Sequence, residues 1–181
     1  MADYSFPFPE RESSLLIFQR DPCYYKVPTD QVQAVFDDAW STGVREAKIF
    51  VEQYETLDMV KILEGLNFSI CTEDIDYVMG NVRYFCEYLS YKKTVCLYRG
   101  SITLWAQQNG FDYEQARSII LAHEYFHYLE ASSIGWVSKR CLVPMLKIGG
   151  LSIGKTGVPA LSEVAANAFA NEYYKLYMKL S

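Results

Sequence analysis

Histidine is almost absent from this chain, with two among 181 residues. Basic residues are also scarce, 17 Lys and Arg against 22 Asp and Glu for a formal charge of −5, and they never form a run. The electrostatic footprint for holding phosphate backbones or anionic lipid is missing, so direct binding to nucleic acid or to membrane surfaces is not expected. No segment reaches the roughly 18 continuous apolar residues of a membrane span, and the first ten residues lack the basic-then-apolar pattern of a secretion leader. The five cysteines (Cys23, Cys71, Cys86, Cys96 and Cys141) are odd in number and never spaced C-x-x-C. That pattern predicts neither a disulfide framework nor a cysteine zinc site, and it fits a soluble, cytoplasmic protein in a reducing compartment. Apolar surface, by contrast, is plentiful: half of the residues are hydrophobic, including 15 Tyr, 10 Phe and 3 Trp. Such a chain can offset its ordering entropy with one core, which excludes global disorder, and it is too short for a second catalytic module.

Hydropathy patterning predicts an α+β order of helices, sheet, helices. Pro7, Pro9, Pro22 and Pro28 interrupt residues 1–28, which read as an extended arm before a single domain over 29–181. Apolar residues at spacings of three and four from Val32 to Trp40 give a helix broken by the Ser-Thr-Gly at 41–43, then a second helix from Val44 to about Tyr54. Leu57, Val60, Leu63 and Leu66 mark a third, with Thr56 as its cap. Beyond Leu66 the period changes to two, and turns at Gly80-Asn81 and at 90–93 predict a three-stranded antiparallel meander. A short helix over 101–108 ends at Gly110. Asp112 with Gln115 forms a capping-box pattern opening a long helix to about Ser133. A loop over 135–157 and a last helix from about Pro159 to Met178 complete the chain.

Both histidines fall in one motif, His123-Glu124-Tyr125-Phe126-His127. On a helix, positions i and i+4 lie one turn apart on one face, so both imidazoles can point at one metal ion with Glu124 alongside as a general base. By chance such an arrangement arises about once in a thousand sequences of this composition. A catalytic zinc takes three protein ligands and leaves a position for water, and no third histidine exists here, which excludes metzincin chemistry. Glu130 lies near the same face but about 10.5 Å along the axis from His123, and reads as a solvent-facing or helix-stabilising residue. Glu163 on the last helix is the predicted third ligand, and Asn167, one turn later, the predicted hydrogen-bond partner behind a histidine ring. With no spare histidine, oxyanion stabilisation falls to a tyrosine, to Arg140 or to a lysine of the 135–157 loop. A strand edge around 85–97 is where an extended peptide can add.

At these residues the chain resembles the ImmA/IrrE family of zinc metallopeptidases, a gluzincin-like group encoded near repressors of phages, mobile elements and stress responses. The segment Thr56–Ile70 is similar to the family's short helix and entry strand, Thr94–Tyr98 to the strand before the active-site helix, and Ala122–His127 to its centre. Glu163, Ala166, Asn167, Phe169 and Ala170 match a downstream E-x-x-A-[ND]-x-F-A pattern. The resemblance spans about residues 55–178. It departs at Tyr125 and Phe126, where the family usually has Leu-Gly or similar, and at the C-terminus, which lacks the usual Met-Pro ending. It implies a zincin-like fold, zinc held by His123, His127 and Glu163, Glu124 as the base, and one site-specific cut in a helix-turn-helix transcriptional repressor.

Two other readings compete. The same residues suit a zinc-binding scaffold that sequesters a repressor without cutting it. Separately, residues 149–156 match G-x-x-x-x-G-K-[ST], the phosphate-cradling loop. Such a loop must open directly into a helix, whereas Gly157-Val158-Pro159 follows, so the segment reads as a glycine-rich loop bordering the zinc cleft.

Overall fold

A computed structural model describes residues 9–80, 82–148 and 151–180. The described part of the expected extended arm is helical instead: α1 covers Arg11–Arg20, and a 3₁₀ turn covers Tyr24–Lys26. Pro9, Pro22 and Pro28 flank these elements, where the missing N–H costs no helical hydrogen bond. Phe18 of α1 is fully buried and packs on Tyr24 and Phe36, which makes this segment part of the core.

The two helices expected on either side of residues 41–43 are one, α2, over Val32–Gln53. Gly43 serves packing, not termination: a Cβ at this position would lie 2.0 Å from the carbonyl oxygen of Ala165, so its absence lets α2 approach the C-terminal helix. Helix α3 (Met59–Gly65) is capped by Asp58, whose Oδ1 accepts from the Val60 and Lys61 amides, and not by Thr56.

The sheet differs from a simple meander. Strands β1 (Ser69–Glu73), β2 (Tyr77–Met79), β3 (Val82–Tyr84), β4 (Cys86–Leu89) and β5 (Thr94–Tyr98) form a sheet of order β1-β5-β4 and a separate β2-β3 hairpin. Both expected turns join antiparallel strands, but β1 pairs with β5 in parallel, Ile70 opposite Val95 and Cys71 opposite Cys96. Cys71 and Cys96 are disulfide-linked, their Cα atoms 4.6 Å apart. This corrects the expectation of unpaired thiols and removes the cysteine count as an argument for a reducing compartment; partners brought together by parallel pairing leave no spacing motif.

Helix α4 (Arg99–Asn109) stops at Gly110, whose φ of +72° is a left-handed cap conformation suited to glycine. Helix α5 (Tyr113–Leu129) opens with the expected capping box: the Asp112 carboxylate accepts from the Gln115 amide at 2.8 Å, and the Gln115 side chain accepts from the Asp112 amide at 3.1 Å. A π-turn over Glu130–Ile134 and a 3₁₀ turn over Val137–Lys139 follow. Where a loop was expected, β6 (Val143–Ile148) and β7 (Leu151–Thr156) form an antiparallel hairpin, before α6 (Ala160–Leu180).

The result is an α+β fold whose core joins α2, α5 and α6. Phe50 of α2, Tyr125 and Phe126 of α5, and Phe169 and Tyr173 of α6 are all buried. Phe169 lies 5.6 Å from Phe50, 5.7 Å from Tyr125 and 5.9 Å from Phe126, ring centre to ring centre. Within the histidine motif, Tyr125 on the opposite face of α5 and Phe126 beside His127 both anchor the helix in this core. No helix among the described residues is long and apolar enough to cross a membrane.

Candidate metal centre

Helix α5 presents His123 and His127 from successive turns, and α6 presents Glu163 from its first turn. Of the residues from Ala160 to Ala170, only Glu163 is exposed, so the packing of α6 directs this one carboxylate into the cleft. His123 Nε2 lies 3.2 Å from His127 Nε2 and 3.3 Å from Glu163 Oε2, and His127 Nε2 lies 3.5 Å from Glu163 Oε1. Ligand atoms about 2.0–2.1 Å from a tetrahedral zinc stand about 3.3–3.4 Å from one another, so this spacing fits such an ion. These three residues form a group able to hold a metal ion, and two imidazoles with a carboxylate suit zinc among other divalent ions.

In the metal-free protein the members of the trio attract one another electrostatically. Partial desolvation in the cleft opposes ionisation of the half-exposed Glu163 side chain, but the His123 hydrogen bond and the charges of both imidazoles outweigh it and lower its pKa to about 2. Burial likewise opposes charging of His127, yet the bond to Glu130 and the nearby Glu163 and Glu124 raise its pKa. Glu163 at the start of α6 and His127 at the end of α5 also occupy the helix ends that favour their respective charges.

Glu130 corrects the expectation of a solvent-facing residue, since its side chain is fully buried. Its Oε2 lies 2.9 Å from His127 Nδ1, while its Oε1 accepts from the Val137 amide at 2.8 Å and the Ser162 hydroxyl at 2.7 Å. This carboxylate fixes the ring of His127 with Nε2 toward the cleft and ties the end of α5 to the start of α6. The role predicted for Asn167 belongs to Glu130: the amide nitrogen of Asn167 donates to Ser14 Oγ at 3.2 Å, joining α6 to α1. The i, i+3 spacing of His127 and Glu130 was the available signal, obscured because an exposed carboxylate is the ordinary outcome on a helix.

Glu124 sits in the same cleft, bordering recesses on both sides of the trio. Cys86 of β4 donates its thiol proton toward Glu124 Oε1 across 3.1 Å, a contact the sequence does not reveal. Burial, then the Glu124 charge, push the Cys86 pKa well up, keeping it a protonated donor. Arg140 is committed elsewhere, 2.8 Å from Thr42 Oγ1 and 3.5 Å from Asp38 Oδ2. Tyr88 of β4 does line the cleft with Glu124.

No family model, no curated protein and no solved structure matches this chain.

Among the described residues the phosphate-loop alternative has no structural counterpart. Gly149 and Gly150 lie outside the described residues, and Gly154, Lys155 and Thr156 belong to β7 of a hairpin. The helix that follows already has an acceptor at its N-terminus: Asp21 Oδ2 takes the Ala160 amide at 2.8 Å, occupying the position an anion would need.

Proposed function

We propose that this protein is a zinc-dependent endopeptidase of zincin-like architecture. The observation that carries the proposal is the convergence of three ligand atoms from α5 and α6 at tetrahedral spacing, with Glu124 bordering the same cleft. Zinc bound there would supply Lewis acidity, making water more acidic and a carbonyl more electrophilic. Glu124 takes the proton from the attacking water and returns it to the departing amine nitrogen. His127 is held for its role by Glu130, and Tyr88 offers a phenol on the β4 side to the oxygen that gains charge. Strand β4 is an edge of its sheet, paired only with β5 among the described residues, and lies beside Glu124. An extended substrate backbone adds to that edge.

The identity of the substrate rests on the resemblance at residues 55–178, which favours a helix-turn-helix repressor cut at one site in the cytoplasm. Metal analysis of the purified chain, paired with cleavage assays on such a repressor, tests the reading. One zinc per chain and a discrete product, with Glu124→Gln retaining zinc while losing product, support it. Native protein without zinc affinity defeats it, and zinc binding with partner binding but no cleavage would point to the sequestering scaffold.

A further inference from the structure

The two faces of the β1-β5-β4 sheet carry different chemistry. Ile70 of β1 and Val95 and Leu97 of β5 turn toward the core, and β4 turns Cys86 and Tyr88 toward the cleft. Alternation along the strands therefore puts Cys71 and Glu73 of β1, Cys96 of β5 and Glu87 of β4 on the opposite face. Register aligns them in a row, Cys71 and Glu87 each standing opposite Cys96 from either side. The disulfide thus lies on the outside of the sheet, with Cys71 exposed and Cys96 half-buried. Strand β1 is itself an edge, paired only with β5 among the described residues, and all of its residues but Ile70 are exposed.

We infer that the Cys71–Cys96 pair is a reversible thiol–disulfide site, opened by a dithiol reductant carried on an electropositive surface. The inference is independent of the endopeptidase reading. Exposed disulfides are the ones open to thiolate attack, and here both sulfurs also have an acceptor in place for the reduced state. The Val95 carbonyl oxygen lies 3.6 Å from Cys71 Sγ, and Glu73 Oε1 lies 3.7 Å from Cys96 Sγ. Each thiol, once formed, donates where it stands, so neither state requires the strands to part. Exchange begins with a reductant thiolate attacking Cys71 Sγ, the exposed sulfur. The S–S bond breaks as the new one forms, and Cys96 leaves as a thiolate that takes a proton from solvent. The second reductant thiol then displaces Cys71, which is protonated in turn, and closes the reductant's own disulfide. Two electrons pass from reductant to protein. Local charge selects that reductant: Glu73 and Glu87 flank the pair and are exposed. The basic side chains that bracket β5 are directed elsewhere, Arg99 toward Asp74 at 3.8 Å and Lys93 over the rings of Phe68 and Tyr128. An anionic thiol is repelled on approach and a cationic one is drawn in, over distances that salt screens.

The test uses the full chain and counts free thiols by maleimide labelling and mass spectrometry. Three are expected before reduction and all five cysteines after dithiothreitol. The far-UV spectrum should be retained and Tm lowered by about 5–10 °C, with thiol count and Tm both restored by oxidised dithiothreitol. Cys71→Ser is expected to lose the dithiothreitol-dependent shift in Tm, and Cys96→Ser serves if that variant does not fold. Among monothiols, cysteamine should open the pair about 10-fold faster per thiolate than 2-mercaptoethanesulfonate at low salt, a gap that closes at high salt and narrows in Glu73→Gln. A pair that yields no thiols until denaturant is added, a chain that unfolds on reduction, or five free thiols under oxidised dithiothreitol overturns the reversible site. Equal rates for the two monothiols overturn the charge selection of its reductant.

Discussion

His123, His127 and Glu163 project from two helices held together by buried aromatic rings and by the Glu130 carboxylate, whereas Gly154 and Lys155 lie on a hairpin strand and are exposed. Both segments match a motif associated with catalysis. In the first, the neighbours aim the side chains at one point. In the second, the described part of that backbone, Leu151–Thr156, is paired as a strand, and the following helix already has Asp21 at its start. A motif can act as a site only when the surrounding packing brings its side chains to one point, and such convergence is present at the first of the two.

The largest effect is expected from His127→Ala, which removes a ligand and should abolish stoichiometric zinc on metal analysis, while Lys155→Ala leaves zinc content unchanged. Glu124→Gln comes next, with zinc retained and turnover of any cleaved substrate reduced about 10²–10⁴-fold. Glu130→Ala should weaken zinc binding by about 10–100-fold in a competition titration with a chelator. It also strips the Val137 amide and Ser162 hydroxyl of their acceptor, and each buried group left unpaired costs about 1–3 kcal/mol in denaturant unfolding.

The pH dependence is smaller, and its sign follows from the two shifts. Glu163 has a folded pKa of about 2, below its ordinary 4.5, so its contribution to stability is complete above pH 4.5 and fades as pH falls toward 2. His127 is raised above 6.5, so its contribution is complete below pH 6.5 and is lost as pH rises through the folded value. Metal-free protein should therefore be most stable between pH 4.5 and 6.5 in calorimetric scans. The carboxylate part will be muted because the Glu163 side chain is 49% exposed. Zinc requires neutral imidazoles, so the gain in Tm on adding zinc should grow from pH 6 to pH 8. Smallest of all, Lys155→Ala on the exposed hairpin should change stability by less than about 0.5 kcal/mol.

Legibility from sequence followed the range of the interaction. Asp112 and Gln115 are three residues apart, and the box they form is as expected; the stop at Gly110 is equally local. His123 and His127 need only a helix to share a face. Glu130, Asn167 and the strand order were misread for one reason: each depends on what a distant segment brings. Ser162 is 32 residues from Glu130, Ser14 is 153 residues from Asn167, and Cys96 is 25 from Cys71. Gly43 looked like a helix breaker because its partner, Ala165, lies far along the chain. The arm was misassigned because prolines bounding a short helix resemble prolines preventing one.

Local spacing alone therefore determined that two imidazoles and the Glu124 carboxylate lie close together on one helix, since the α-helix repeats every 3.6 residues whatever surrounds it. Tertiary packing decided that Glu163 meets them and that Glu130 and not Asn167 backs His127. Those outcomes depend on how α2, α5 and α6 bury their aromatic faces together, a many-body fit that no short window of residues encodes.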